Sequence, residues 1–453
     1  MTGLTLHQNP MGSGMLQESL PKDKFFGELL AQFENCSNIE PFANFRKIAW
    51  DSFVQRGLPD KKNKAFQYLP LHALYSERLF SPLKTANIDK DRLAAHIAEE
   101  SRHSCLLFVN GELRLDLSDL TALPKQVVVQ PLEKGFFSYK SFLQQRIDKL
   151  LRDEEDPFAL LNAALQTQGC FFYVPPKTIL AHPVQCLHLI SGAQGQLPCF
   201  NLRAHLVIGA HSQMELTSKT VLLEENQRFF GTSCWDAAVE EGAKLTCLPI
   251  FTEEKESWHF DYFHATLKKD SQLKTVSCSE GGRSIRQNYH VTLAGENSAA
   301  DLQGLWLLDG HRQCHTHVFI DHLAPHTRSM QCFKGVLNEA GQSSFDGKIY
   351  VQRDAQKTEA YQLNHNLLIG EGAIANSCPN LEIFADDVKA SHGSTVAHLD
   401  AAQLFYMQAR GIDPAKAKSL LVAGFCRTVL DQIPIVSVRK EIEKLLQAYE
   451  GKI

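Results

Sequence analysis

Between Cys170 and about Ala390 the apolar residues stop recurring at helical spacing, and short alternating runs take over. Val221-Leu222-Leu223, Leu245-Thr246-Cys247-Leu248, Trp258 to Leu267 and Tyr289 to Leu293 are of this kind. A stretch this long in this texture is a sandwich, a barrel or a solenoid. Phe333-Lys334-Gly335-Val336 is echoed by Phe345-Asp346-Gly347-Lys348-Ile349 at a twelve-residue offset. The echo favours a parallel β-helix, in which each coil stacks its inward apolar residues on the next and turns at Gly, Asn and Asp. The fold class expected is mainly β, with a β-helix core between helical flanks.

Helical spacing governs both flanks. Phe26, Leu29, Leu30 and Phe33 form one stripe, and Phe45, Ile48, Ala49 and Phe53 form a second that stops at Gly57 and Pro59. Residues 104–131 carry β-type runs, Leu106 to Val109 before Asn110-Gly111 and then Val127 to Val129. Leu143, Ile147, Leu150 and Leu151 mark a further helix, and Asp156-Pro157 is an N-cap and first-turn pair for a helix through Leu165. After the β region, Asp400 caps a helix that closes at Gly411, and Asp413-Pro414 starts another with Ala417, Leu420, Leu421, Gly424 and Phe425 on its apolar face. Pro434 follows it, and Ile442, Leu445, Leu446 and Tyr449 line a last helix. The division expected is a helical and α+β region over 1–168, the β-helix over 169–395, and a helical domain over 396–453 that covers the exposed end of the β stack.

Asp plus Glu (51) slightly outnumber Lys plus Arg (46), and the formal net charge of −5 argues against a nucleic-acid footprint or a polybasic membrane patch. Residues 1–24 lack the basic start and apolar run of a signal peptide, and no apolar stretch is long enough to cross a bilayer, so a cytoplasmic protein is expected. The twelve cysteines stand singly from Cys36 to Cys426 with no CxxC pair. Buried free thiols are therefore expected, not disulfides or structural zinc.

From Phe333 to Ile412 the chain resembles the SufB/SufD family of iron-sulfur cluster assembly proteins. Four stretches carry the resemblance: Phe333-Lys334-Gly335-Val336-Leu337, Asp354-Ala355-Gln356-Lys357-Thr358, Gln362-Leu363-Asn364-His365-Asn366-Leu367-Leu368 and Leu381-Glu382-Ile383-Phe384-Ala385-Asp386-Asp387-Val388. Upstream, Asp156-Pro157-Phe158, Leu161-Asn162 and Gly169-Cys170-Phe171-Phe172-Tyr173-Val174-Pro175 are similar to the family's lead-in to its core. Agreement runs from about residue 155 to 433. Looser matches at Arg46, Gly57-Leu58-Pro59 and Tyr68-Leu69-Pro70-Leu71 suit the SufD branch better than SufB. The resemblance implies a right-handed parallel β-helix and a non-enzymatic scaffold that pairs with SufB through β-helix ends and carries the ATPase SufC on its C-terminal helices. ATP chemistry would then belong to SufC, and this chain has no GxxxxGK[ST] loop. Iron or an iron-sulfur cluster is implied as a transient passenger of the complex, not as a tightly held cofactor of the isolated chain, which is itself open to homodimer formation.

The site residue so implied is His392, in Ala390-Ser391-His392-Gly393, where SufD members place Cys-Ser-His-Gly beside the SufB interface. Ala390 departs from that pattern and offers no ligand atom, which leaves the imidazole of His392 as the candidate iron or cluster ligand, against a structural or interfacial histidine. Cys378, in Asn376-Ser377-Cys378-Pro379, is a candidate to replace the missing thiol. Asp386 and Asp387 are hard oxygen donors nearby but read as a solvated turn. Near Ala373 and Gly393 the chain lacks the cysteine and glutamate that SufB would offer, which also favours SufD. His311, Cys314, His315, His317, His322 and His326 look like a metal cluster in isolation. On a strand, however, His315 and His317 share one face and Cys314 takes the other, so a structural or interface role is expected. Leu404, Leu420, Leu421 and Phe425 are expected in the core, and Phe405, Tyr406, Gln408 and Arg410 are candidate SufC contacts. Two rival readings remain: a SufB-like scaffold acting alone with its cluster on a homodimer, and a β-helix polysaccharide lyase or hydrolase. For the latter no suitably separated carboxylate pair is evident.

Overall fold

The computed structural model describes residues 21–80, 88, 93–166, 169–191, 197–224, 227–252 and 255–452. The polar stretch 1–24 therefore lies, up to residue 20, outside the described residues. Successive strands of the β region alternate between two sheets, each of ten strands. One sheet runs through Leu197–Ile208, Phe230–Val239, Trp258–Leu267, Ser284–Leu293, Gln313–His322 and Gln342–Val351 to Ile374–Ile383. The other runs through Gln213–Leu222, Lys244–Phe251, Gln272–Ser279, Ala299–Leu308, Arg328–Leu337 and Thr358–Leu368 to Val388–His398. All these pairings are parallel. The core is thus a parallel β-solenoid in which each coil gives one strand to each face.

The coil length follows from the register between neighbouring coils, which is 26 residues at Trp258 and Ser284, 29 at His315 and Ser344, 31 at Gln331 and Gln362, and 32 at Asp346 and Cys378. The twelve-residue echo is therefore not one coil. Phe333 and Phe345 sit on opposite faces of the same coil and meet inside it, with ring centroids 5.2 Å apart. The echo arises because both faces need an aromatic at the same depth. Corners between strands take left-handed backbone, with Asp270, Asn297, Gly310 and His326 all at φ between 57° and 60°.

The flanks extend and cover the solenoid. Cys105–Val109 joins the start of one sheet in parallel with Val184–Ile190 and forms a hairpin with Glu112–Leu113 through Asn110 (φ 51°) and Gly111 (φ 88°). Val128–Pro131 pairs antiparallel with Cys170–Val174 at the start of the other. The helices Pro21–Cys36 and Ala43–Arg56 form, but on rotated faces. The buried residues are Phe25, Leu29, Phe33 and Cys36 in the first, and Ala43, Phe45, Arg46, Ala49, Trp50 and Phe53 in the second. Leu30 and Ile48, expected inside, are exposed.

The C-terminal helices Ala401–Ala409, Pro414–Leu430 and Val436–Glu450 do not cap the end of the stack as expected. The second and third lie along the outer side of one sheet, where Val422, Cys426, Val429, Val438, Ile442 and Leu446 cluster with Leu248, Ile250, Val276, Leu305 and Val336. Tyr449 donates to the carbonyls of Leu308 (2.9 Å) and Val336 (3.1 Å), and Lys334 Nζ to that of Phe425 (2.9 Å). Packing on a flat sheet uses Ala417, Val422, Cys426 and Val429, so Leu420 is exposed and Leu421 and Phe425 are half-buried. No helix among the described residues is long and apolar enough to cross a membrane.

Candidate functional site

Because the helices cover the flank, the solenoid ends on two edge strands, Ile374–Ile383 and Val388–His398. An exposed edge of unpaired N–H and C=O groups invites another strand unless it is protected. Much of Val388–His398 is exposed, His392 included, whereas Thr358–Leu368, the strand beneath it in the same sheet, alternates mostly buried and half-buried positions.

Register fixes which way these side chains face. In parallel stacking, residues in line share a side. His392 stands over Gln362, which stands over Gln331 and then Leu302. Leu302, Gln331 and Gln362 are all 0% exposed, so this is an inward column, and His392 is its last member, on the inner side of a coil with nothing above it. Ala390 lies in the same row over the buried Ala360 and packs with Val388, Leu381 and Ala385, an apolar plug at the corner.

Cys378 faces the other way. It is in register with Asp346, which follows His317, and it lines a cavity of about 210 Å³ between this outer face and Lys64 to Leu69. The structure therefore does not bring Cys378 and His392 together within one chain. Of the twelve cysteines, none is in a disulfide, ten are buried, Cys332 is half-buried and Cys378 is exposed. Burial pushes the thiols of Cys105, Cys170, Cys199 and Cys426 up to about 12, which keeps them protonated and inert. Asp386 and Asp387 are exposed in the turn before the last strand, where the Asp387 N–H donates to Gln356 Oε1 at 2.9 Å.

The histidine-rich segment is divided as alternation requires. Cys314 and His322 face inward, and His322 contacts Thr327 Oγ1 (2.7 Å) and Ser329 Oγ (2.9 Å). His315 and His317 face outward, His315 against Ser344 Oγ (2.8 Å) and His317 against Asn288 Oδ1 (3.1 Å). Burial lowers His315 and His322 to about 3. No three His, Cys, Asp or Glu side chains among the described residues gather so as to hold a metal ion. On the helix Ala401–Ala409 no residue is buried; Phe405 is 72% and Tyr406 61% exposed, Gln408 and Arg410 are exposed, and the Arg410 guanidinium lies 5.2 Å over the Tyr406 ring.

Sequence reasoning missed the polar clamp that holds the N-terminal region to the solenoid. Asp156 caps its helix through the Phe158 N–H (2.9 Å), and it also accepts from Tyr262 Oη (2.8 Å) and pairs with Arg286, whose guanidinium lies 4.2 Å over the Phe66 ring. Nearby, Arg203 donates to Asp236 at 2.9 Å and His264 Nδ1 lies 3.1 Å from the same carboxylate. Burial alone would raise Asp236; the Arg203 charge and the His264 hydrogen bond overcome it and hold the carboxyl well below its usual range. These pairings, unlike the cap at Asp156, carry no local spacing signal, because the partners lie far apart along the chain.

Comparison with known proteins agrees with this architecture. Residues 189–425 match the family described as SUF system FeS cluster assembly, SufBD core domain, and residues 25–186 match the SufBD protein N-terminal region. An iron-sulfur cluster assembly SufBD family protein of Synechocystis sp. is 27% identical over 88% of this chain and 89% of its own length. The iron-sulfur cluster assembly protein SufD of Escherichia coli is 26% identical over 86% of this chain and 88% of its own. Protein ABCI7, chloroplastic, of Arabidopsis thaliana is 26% identical over 88% of this chain and 84% of its own. With both halves matched and a solenoid that leaves its last coil open, the chain belongs to the SufBD family of SUF-system iron-sulfur cluster assembly proteins.

Proposed function

We propose that this chain is a SufD-like, non-enzymatic scaffold subunit that pairs with a SufB partner at the open end of its solenoid and binds the ATPase SufC through the helix Ala401–Ala409. The observation that carries the reading is the position of His392, exposed on the inner side of the terminal coil, where a second subunit would meet it. One imidazole without a second donor is half a site, so iron or a nascent cluster would be held only when the partner supplies the remaining ligands. Ala390, where SufD members place cysteine, contributes an apolar corner and no ligand, so a further ligand has to come from the partner. The exposed aromatic pair Phe405 and Tyr406, on a helix that buries nothing in this chain, is the surface offered to SufC.

The test is co-expression with SufB and SufC, followed by anaerobic purification. A three-component complex is expected, with iron and sulfide content at least several-fold lower in His392→Ala than in the wild type, the outer range being about 10–100-fold for lost ligand-sphere groups. Unchanged content would remove His392 as a ligand. Recovery of a cluster on this chain alone, as a homodimer, would favour the solitary scaffold.

A further inference from the structure

We propose that Gln362 is a positioning residue for His392: its side-chain carbonyl, unpaired with the ring where it stands, takes the imidazole N–H when the exposed ring turns down onto it, and so holds the other ring nitrogen toward the open end of the solenoid. The purpose of this contact rests on the ligand reading of His392 given above.

Within the inward column, Gln362 Nε2 donates to Gln331 Oε1 at 2.9 Å. In a stacked amide ladder, a group that donates down the stack turns its carbonyl up it. The residue one coil up, in register, is His392. Gln362 is 0% exposed, and its Oε1 has no hydrogen-bond partner in this chain. A buried acceptor left empty is destabilising, so the ladder ends on an unmet demand beneath the last coil. Of the inward side chains there, Ala390 and Val396 have no donor and Ser394 stands over Asn364, which leaves the imidazole above Gln362.

The opposite face makes room for this amide. Gly347 faces it from the other sheet, and a Cβ there would lie 2.2 Å from Gln362 Nε2. The interior around it also turns polar toward the end: Asn366 Nδ2 donates to Asn364 Oδ1 at 2.8 Å, and Ser377 Oγ is buried without a partner. Committing one ring N–H to a carboxamide or carboxylate is how proteins fix which imidazole nitrogen keeps its lone pair. Without it, an exposed terminal imidazole samples both tautomers.

The experiment uses the full chain with ¹⁵N-labelled histidine, the His392 ring signals being identified by their loss in His392→Ala. In the wild type the neutral ring is expected in one tautomer, and in Gln362→Met in a mixture. Gln331→Met removes the other amide of the ladder but leaves the carbonyl facing His392, so it should keep the single tautomer. Co-purified complexes should lose roughly tenfold in iron retention with Gln362→Met and little with Gln331→Met. Mixed tautomers in the wild type, or equal effects of the two methionine variants, would overturn the proposal. Iron content that responds to His392→Ala but not to Gln362→Met removes the positioning role and leaves the ligand reading intact. A single tautomer lost in Gln362→Met, with iron content indifferent to His392→Ala, supports the contact and removes the ligand reading.

Discussion

Asp156 shows how much a residue can do that its neighbours in sequence do not announce. Its local role, N-cap before a first-turn proline, is written in Asp156-Pro157 and is what the structure shows. Its other role is to neutralise Arg286, which is 2% exposed and 130 residues away along the chain. Removing one partner of a buried pair strands the other, so Asp156→Ala is expected to cost about 3–5 kcal/mol in urea unfolding. A loss near 1 kcal/mol, the usual value of a cap alone, would show that Arg286 finds relief elsewhere. His392 and Cys378 teach the same lesson. Both were legible as candidates, but only the register shows that one points into the last coil and the other away from it.

The elements divide by what they pack against. Strand segments were visible because alternation survives any partner, and the helix ends at Asp400, Asp413 and Gly411 because capping is local: Asp400 accepts from Ala402 N–H at 2.8 Å and Asp413 from Ala415 N–H at 2.9 Å. Which helical face is buried was less visible. In Ala43–Arg56 the inward face includes Arg46, which can be buried because its guanidinium donates to the carbonyls of Gln166 (2.6 Å) and Ile39. In Pro414–Leu430 a flat sheet takes small and β-branched residues and leaves Leu420 outside. The helix Ala401–Ala409 buries nothing, so Phe405→Ser with Tyr406→Ser should change the unfolding free energy by no more than about 0.5 kcal/mol per site. The same double variant is expected to lose co-purification of SufC. Destabilisation well beyond that, with SufC still bound, would place the docking surface elsewhere.

At the scale of the whole molecule, the solenoid buries, beside its apolar clusters, imidazoles that tolerate burial only in one protonation state. Burial lowers His188, His315 and His322 to about 3, from an ordinary value near 6.5. All three are neutral in the folded chain above pH 6.5 and cost nothing there. Below pH 6.5 the unfolded chain takes up protons that the folded chain refuses, so each removes about 1.4 kcal/mol of stability per pH unit until the folded value is reached. Acid unfolding is therefore expected to set in steeply between about pH 6 and pH 4. His188→Gln with His322→Gln should flatten the fall in urea midpoint over that range. A midpoint independent of pH between 6.5 and 5 would mean that these imidazoles are solvated.

What the sequence determined by itself was the class of each region and its local punctuation. Period-two runs, caps and turn residues depend on atoms within a few positions of one another, and the family motifs from Phe333 onward are likewise read in place. The length of a coil, the covered flank and the open end were decided by the tertiary structure. Those depend on which residues come into register 26 to 32 positions apart and on which face of a helix a sheet will accept. Stacking of this kind sums weak contacts between neighbours, and no single stretch of chain records the sum. The place of His392 above Gln362 is of that second sort: the imidazole is in the sequence, but the row it joins is a property of the stack.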